Sequence, residues 1–290
     1  MSKTVDDSLQ LNKLTVPFYV SHVKPGSSLA TNGDIVVIQD GSTTLEIRTA
    51  PKFEPKKLPW RDGLIRDIIW SSDLQLFFLL TQKNLFAFDP QTIVAPSTTT
   101  INTELQFKVL SFTKIKPIDE SHTFWRCTCV GSNLFLSYSG FGTIIDEYKM
   151  SRTSCQFVNQ WTSPKTCSNV EGIWCIRYQT ESDQIGLTIM NSQTNQWRFE
   201  IRDRKKLSTI WQTGLPVNHG DCELTSLGKD QWLIINSCGV RLVHVINRKL
   251  KAAVEYEREL RNAILIGRDY FVLRTKSTIE VHSIKKEDVK

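Results

Sequence analysis

Short runs of apolar residues, separated by polar turns, recur along the whole chain. The clearest example is residues 65–92, where Phe77-Phe78-Leu79-Leu80 stands without alternation and Asn84-Leu85-Phe86-Ala87-Phe88-Asp89 follows after a turn. Because alternate residues of a strand point to opposite faces, an unbroken apolar run predicts a strand that is buried on both faces. We expect Phe77 and Leu79 to face one neighbouring layer, and Phe78 and Leu80 the other.

The same set of strands returns along the sequence. A first copy starts with residues 18–23, and the inner strands of the later copies start near Asp67, Arg126, Cys175, Glu223 and Ala263. Most copies end in a fourth, more polar strand. Short strands repeating every ~40 to 60 residues, without helical periodicity, are typical of a β-propeller. We therefore predict an all-β chain, 1–290, forming a single propeller of six four-stranded blades; seven blades are the alternative.

The sixth copy stops after its third strand, near Ile284, so its outer strand must come from elsewhere. Residues 9–16 alternate apolar and polar and precede the first copy, which predicts that this N-terminal segment supplies the strand and closes the ring. The Ser/Thr-rich stretch 90–105 is predicted to be a long loop, and it would hide an extra strand pair in the seven-bladed alternative. Residues 285–290 are predicted to be a charged tail.

The segment 65–92 also resembles a known repeat. A Trp-Ser-Ser-Asp turn at 70–73 leads into the apolar strand, and the next strand closes with Asp89. The chain is thus similar to the WD40-like β-propeller superfamily, and this resemblance implies a platform for protein interactions. No Gly-His pair opens a blade and no Trp-Asp dipeptide ends one, so the structural Asp–His network of that superfamily is not carried over.

The sequence contains no GxSxG, HExxH, P-loop or GxGxxG motif. The most site-like cluster is Asn218-His219-Gly220-Asp221, where His219 and Asp221 suit a metal or a proton relay, but Asn, Gly and Asp also belong in ordinary turns. The predicted function is a non-catalytic protein-interaction scaffold or adaptor without a cofactor. The first alternative is a propeller hydrolase with a cation bound by carboxylate and amide oxygens in the central channel.

The charge distribution and the cysteine content indicate which partners and which cellular compartment to expect. The net charge is +6, and most of the positive excess follows Arg241, so the second alternative is an RNA-associated propeller that uses its basic last blade. Nucleic acid is the weaker expectation, because no aromatic residues interleave the basic run 202–206. The seven cysteines form no CxxC pair and there is no Asn-x-Ser/Thr sequon, which predicts the cytoplasm or nucleus. No apolar run reaches the ~18 residues of a membrane helix.

Candidate binding residues lie in the loops that lead into the inner strands. A carboxylate precedes five of the six: Asp62, Glu120, Glu171, Asp221 and Glu259. Because these loops share one face of a propeller, we predict an acidic ring around the channel mouth that binds other proteins through a basic peptide, or a cation. Trp60 and Arg61 are candidate anchors, since Trp and Arg dominate the energetics of interfaces. His219 is predicted to border the same face.

Overall fold

The structure is a computed structural model that describes residues 14, 16–93, 109–112, 115–216, 220–228, 230–237, 241–267 and 269–284, leaving aside the side chains of 241 and 252–254. Strands dominate these residues, and they form six four-stranded antiparallel sheets. In five sheets the chain runs from the inner strand outward, and in the sixth the outer strand is β1, which precedes the others in sequence; each sheet is one blade of a propeller.

The strand bounds follow the chain. A first strand, β1 (Tyr19–His22), precedes the first complete blade. Blade 1 contains β2 (Leu29–Thr31), β3 (Ile35–Gln39), β4 (Thr44–Thr49) and β5 (Lys56–Pro59). Blade 2 contains β6 (Ile65–Ser71), β7 (Leu76–Thr81), β8 (Leu85–Phe88) and β9 (Val109–Ser111). Blade 3 contains β10 (Phe124–Val130), β11 (Asn133–Tyr138), β12 (Ile145–Met150) and β13 (Cys155–Trp161).

The second half repeats the pattern. Blade 4 contains β14 (Glu171–Gln179), β15 (Gln184–Asn191), β16 (Trp197–Asp203) and β17 (Thr209–Gly214). Blade 5 contains β18 (Cys222–Gly228), β19 (Gln231–Asn236), β20 (Arg241–Ile246) and β21 (Lys249–Glu255). Blade 6 contains β22 (Leu260–Ile266), β23 (Tyr270–Thr275) and β24 (Thr278–Ser283), with β1 as its outer strand.

The inner strands form a closed ring. Each inner strand contacts the inner strand of the next blade in chain order, and β22 of the sixth blade contacts β2 of the first. Six blades therefore complete the circle, which confirms the six-bladed prediction and rules out the seven-bladed alternative. Of the predicted loop 90–105, Pro90–Thr92 form a short 3-10 helix capped by Asp89, while residues 94–105, like the predicted tail 285–290, lie outside the described residues.

Ring closure by an N-terminal strand is confirmed, but the predicted residues were wrong. The strand is β1, which pairs antiparallel with β24 so that Tyr19 lies opposite Val281. Within the predicted segment 9–16 the structure describes only Leu14 and Val16, and neither lies in a strand. Residues 19–22, assigned by sequence to the first blade, alternate between half-buried and exposed, as an outer strand with one covered face must.

A buried arginine ties the closing strand to the first blade. Arg48 of β4 is 1% exposed and forms an ion pair with Glu46. It also donates hydrogen bonds to the Tyr19 hydroxyl at 2.7 Å and to the Ser21 hydroxyl at 2.8 Å. Because Tyr19 and Ser21 belong to the sixth blade, these bonds join the two blades between which the ring closes.

The double-sided burial predicted for β7 is confirmed. All six of its residues are buried. Phe77 and Leu79 pack in the apolar cluster shared with blade 1, whereas Phe78 and Leu80 pack in the cluster shared with blade 3. Water touches neither face of this strand, so its sequence has no reason to alternate.

Candidate functional site

Four charged side chains from four successive blades meet inside the central channel. This channel quartet consists of Asp67 (blade 2), Arg126 (blade 3), Arg177 (blade 4) and Glu223 (blade 5). The Arg177 guanidinium binds both carboxylate oxygens of Asp67, at 2.8 and 2.9 Å. Arg126 forms an ion pair with Glu223. Each pair joins blades that are not adjacent, so both pairs cross the channel.

Further hydrogen bonds complete the quartet. Asp67 accepts from the backbone amides of Ile68 and Cys127, each at 3.0 Å. Arg126 donates to the Arg66 carbonyl at 3.1 Å. Burial alone would raise the pKa of Glu223, but the Arg126 guanidinium outweighs it and holds that pKa below its usual value. The quartet is therefore charged and paired, as buried ions must be to avoid a large desolvation penalty.

The quartet argues against the hydrolase alternative. A catalytic cation needs free carboxylate and amide oxygens around it. In this channel both quartet carboxylates are already bound by guanidinium groups, and those two guanidiniums would repel a metal ion. Among the described residues, no three His, Cys, Asp or Glu side chains lie together as metal ligands would.

Above the quartet, four inner strands hold one extra residue near their start. The strand pairing skips Arg66 in β6, Trp125 in β10, Trp174 in β14 and Arg261 in β22. A bulge of this kind leaves the extra residue unpaired and re-aims its side chain. We call these four residues, together with Asp221 at the start of blade 5, the channel mouth. The face of the ring on which they lie, where loops from each outer strand reach the next inner strand, is the mouth face.

Two tryptophans form the centre of the channel mouth. The Trp125 and Trp174 rings lie 5.1 Å apart in an edge-to-face arrangement, and Trp125 Nε1 donates to the Trp174 carbonyl at 2.8 Å. The guanidinium carbons of Arg126 and Arg66 lie 4.4 and 5.3 Å from the Trp125 ring centroid. Trp125, Trp174 and Arg66 are all half-buried rather than enclosed, so they are accessible to a ligand.

The charges of the channel mouth are unevenly paired. Arg261 forms an ion pair with Glu259, which also lies 3.5 Å from the Lys276 amine. The Arg66 side chain has no hydrogen bond or ion pair with any described residue, and its Nε is buried without an acceptor. Burial, and then the nearby Arg126 charge, lower the pKa of Arg66. Arg66 is thus a cation without a carboxylate.

The five carboxylates of the predicted acidic ring all precede or begin inner strands, but their surroundings differ. Glu171 is bound by both Nη atoms of Arg198, which holds the pKa of Glu171 at about 2. Glu259 is paired with Arg261. Asp221 is half-buried, and burial raises its pKa.

Only two of the predicted carboxylates are exposed and unpaired. Asp62 and Glu120 are exposed, and neither carboxylate has an ion pair with a described residue. Among these five carboxylates, the exposed and unpaired ones therefore lie in the loops that lead into blades 2 and 3.

Trp60 requires a correction. It is 1% exposed, its Nε1 donates to the Gly63 carbonyl at 2.5 Å, and its ring packs edge-to-face on Phe86 at 5.3 Å. The loop folds back over the blade, so Trp60 belongs to the core and cannot anchor a partner in this conformation. Arg61 is exposed on the mouth face. His219 lies outside the described residues.

The mouth face also carries exposed apolar side chains. Leu64, Ile118 and Phe141 are 47%, 48% and 55% exposed, and all lie in loops or turns on this face in blades 2 and 3. The Phe141 turn rests on the start of blade 4, where the Gly142 amide donates to the Glu171 carbonyl at 2.7 Å. The mouth face thus carries these three exposed apolar side chains in addition to the two half-buried tryptophans.

The sequence analysis singled out none of Arg66, Trp125 and Trp174 as binding residues. One signal was available: Arg66, Trp125 and Trp174 stand at equivalent places, just inside the start of their inner strands. The bulge that turns them outward depends on strand pairing, which residue patterns do not reveal.

The RNA alternative rests on basic residues, and several of these are buried or form ion pairs within the chain. In the last blade, Arg258 pairs with Glu280, and Arg274 is fully buried. Within the run 202–206, Arg202 is buried beside Glu200 and Arg204 pairs with Asp183 at 2.8 Å. The described part of the last blade therefore presents less free positive charge than its composition suggests.

The fold is similar to those of several solved structures. Over 94% of this chain and 93% of the other, a chain in the crystal structure of the mitotic checkpoint complex superposes with a TM-score of 0.59 at 7% identity. Luciferin-regenerating enzyme gives 0.61 at 9% identity, covering 92% and 95%. A chain of the COPII outer coat vertex on membranes gives 0.56 at 10% identity, covering 93% and 87%. No protein-family model and no curated sequence matches the chain.

At these identities the likeness concerns the fold alone, and that fold is a six-bladed β-propeller. The similar structures include both assemblies and an enzyme, so the fold does not decide between the two classes. The described residues contain no helix of the length and apolarity that a membrane crossing requires.

Proposed function

From this WD40-like β-propeller fold, we propose that the chain is a non-catalytic protein-interaction scaffold that binds its partner through the mouth face. The observation that carries the proposal is that one face presents two half-buried tryptophans, Trp125 and Trp174, and the exposed apolar side chains of Leu64, Ile118 and Phe141. Tryptophans and exposed apolar side chains on one face are typical of protein-interaction surfaces. The paired charges of the channel quartet beneath them favour binding over catalysis.

The charges on the mouth face suggest how a partner is oriented. We infer that the exposed carboxylates of Asp62 and Glu120 attract a basic segment of the partner at the edge of the mouth face. Rim charges of this kind steer association and set its dependence on salt more than they add affinity. Glu171 and Glu259 contribute less, because each already has a guanidinium partner.

The setting proposed for this scaffold is the cytoplasm or nucleus. The six cysteines within the described residues are all free thiols. Burial raises the pKa of Cys175 and of Cys222 to about 12, which keeps these thiols protonated and unreactive. A reducing compartment suits a fold that does not rely on disulfides.

Selection from a random peptide library displayed on phage tests the proposal. We expect the wild-type chain to enrich related peptides, and Phe141→Glu to abolish their binding by placing a charge among the exposed apolar side chains of the mouth face. Phe157→Glu is the matched control, because Phe157 is 53% exposed but lies on the outer strand β13. Peptides that depend on Phe157 and not on Phe141, or no enrichment on a folded protein, would contradict the proposal.

A further inference from the structure

We propose that the channel mouth binds an acidic peptide segment of the partner, with the Arg66 guanidinium beside the Trp125 ring receiving a carboxylate. This inference rests on the proposed function and gives it a chemical class of ligand. It concerns the centre of the mouth face, whereas the basic segment inferred above concerns the edge.

Arg66 differs from the arginines around it. Arg126, Arg177 and Arg261 each have a carboxylate partner within the chain. Arg66 has none among the described residues, although it is half-buried and its Nε is enclosed. A guanidinium that has lost water without gaining an anion is destabilising, and a carboxylate from outside the chain would relieve that cost.

Trp174 supplies a second unmatched donor. Its Nε1 is buried and has no acceptor among the described residues, whereas Trp125 Nε1 is satisfied by the Trp174 carbonyl. Buried N–H groups are rarely left without an acceptor in folded proteins. Arg66 and Trp174 Nε1 are both donors, so a ligand that satisfies Arg66 presents an oxygen acceptor rather than an ammonium group.

The geometry holds Arg66 in place before a ligand arrives. Its guanidinium carbon lies 5.3 Å from the Trp125 ring centroid, within the range of a cation–π contact. Arg126 lies near the same ring but is bound by Glu223. Because the Arg66 side chain is already ordered, pairing with a carboxylate costs less conformational entropy than it would for a freely moving arginine.

The other anions at the mouth do not serve as its partner. The Asp221 carboxylate forms no ion pair with Arg66; burial raises its pKa, and the charges of Arg126 and Arg261 act against that rise. Glu171 is bound by Arg198. Asp62 and Glu120 lie on the same face, but neither forms an ion pair with Arg66.

Indole N–H signals in ¹H–¹⁵N NMR spectra provide a direct test. Trp125→Phe and Trp174→Phe variants assign the two indole peaks of the mouth. The titrants are N-acetylglutamate N-methylamide, the isosteric glutamine compound, N-acetylglycine and inorganic phosphate. We expect the glutamate compound to shift the mouth indoles and the glutamine compound to shift them far less. A shift by N-acetylglycine alone would assign the site to a chain-terminal carboxylate instead of an acidic side chain.

Arg66→Gln supplies the decisive variant. We expect it to weaken binding of the glutamate compound about tenfold or more, which is typical for loss of a charged hydrogen-bond partner. Arg61→Gln removes an exposed arginine of the same face and should leave the affinity within about twofold. Equal shifts from the glutamate and glutamine compounds, a response to phosphate alone, or an Arg66→Gln variant that binds like the wild type would overturn the inference.

The phage-selected peptides separate this inference from the proposed function. If their binding is lost in Phe141→Glu but unchanged in Arg66→Gln, the scaffold proposal stands and the carboxylate site falls. If the NMR titration succeeds but no peptide depends on Phe141, the carboxylate site stands and the mouth face as a whole is not the protein-binding surface.

Discussion

Arg126 and Arg66 lie near the same tryptophan ring, that of Trp125, but they differ in their ion pairing. Arg126 occupies a regular position in β10, points into the channel and is neutralised by Glu223. Arg66 is the extra residue of the bulge in β6 and remains without a carboxylate among the described residues. Strand register thus separates two uses of one side chain: Arg126, in a regular position, joins two blades across the channel, whereas Arg66, in a bulge, is turned away from the quartet.

Breaking the quartet should have the largest effect. Asp67→Asn leaves Arg177 buried without its anion, and we expect the free energy of unfolding in urea to fall by about 3–5 kcal/mol. The double variant Asp67→Leu with Arg177→Met removes both charges and should recover most of that loss. If the free energy of unfolding of Asp67→Asn lies within about 1 kcal/mol of the wild-type value, the quartet does not stabilise the ring. The difference between the paired charges of the quartet and the unpaired Arg66 would then have no energetic basis.

Glu171 should contribute less than the quartet to the free energy of unfolding, and its contribution should depend on pH. Its pKa is about 2 in the folded chain, below its ordinary value of 4.5, because Arg198 binds it. The stabilisation is therefore present above pH 4.5 and is lost as the pH falls from there toward 2. At neutral pH we expect Glu171→Gln to cost about 1 kcal/mol in urea unfolding. Arg198→Met should remove the same pH dependence; a variant that keeps it would assign the effect elsewhere.

The contribution of Asp221 to stability should depend on pH in the opposite direction from that of Glu171. The two carboxylates occupy similar places, since Asp221 precedes an inner strand and Glu171 begins one. Burial raises its pKa above the ordinary 3.8, so its stabilising effect is present below that value and is lost as the pH rises through the folded pKa. Asp221→Asn should then slightly increase the thermal midpoint at neutral pH. A decrease in the thermal midpoint would mean that the charged form of Asp221 stabilises the fold, and it would favour the acidic-ring hypothesis at this position.

Arg66 should have the smallest effect on stability. Arg66→Met keeps much of the packing against Trp125 and removes an unpaired charge, so we expect the free energy of unfolding to stay within about 0.5 kcal/mol of the wild type. A loss of about 2 kcal/mol or more would reveal an internal partner and place Arg66 with the structural charges of the quartet.

Residue patterns predicted the architecture well because the burial of each blade is local. The unbroken apolar run at Phe77–Leu80 predicted a strand packed on both faces. The missing fourth strand of the last copy predicted that an N-terminal strand closes the ring. The closing strand was misplaced because Leu9–Val16 alternates apolar and polar residues whereas Tyr-Val-Ser-His at 19–22 does not, and only pairing with β24 identifies 19–22 as the outer strand.

The candidate site was harder to predict because it depends on long-range geometry. Asp67 and Arg177 are far apart in sequence and meet only across the closed ring. Trp60 looked like a loop anchor, but its loop folds back over Phe86. The outward turn of Arg66, Trp125 and Trp174 comes from bulges that no apolar pattern records.

The closing strand also bears on how the ring comes into being. β1 is synthesised before blades 1 to 5 and β24 after them, yet the two strands must pair with each other. Blades 1 to 5 can form in order during synthesis, while β1 waits as an unpaired strand with Phe18 and Val20 exposed beside it or within it. Completion of the sixth blade is a contact between nearly the most distant parts of the chain, and such contacts are made late and slowly.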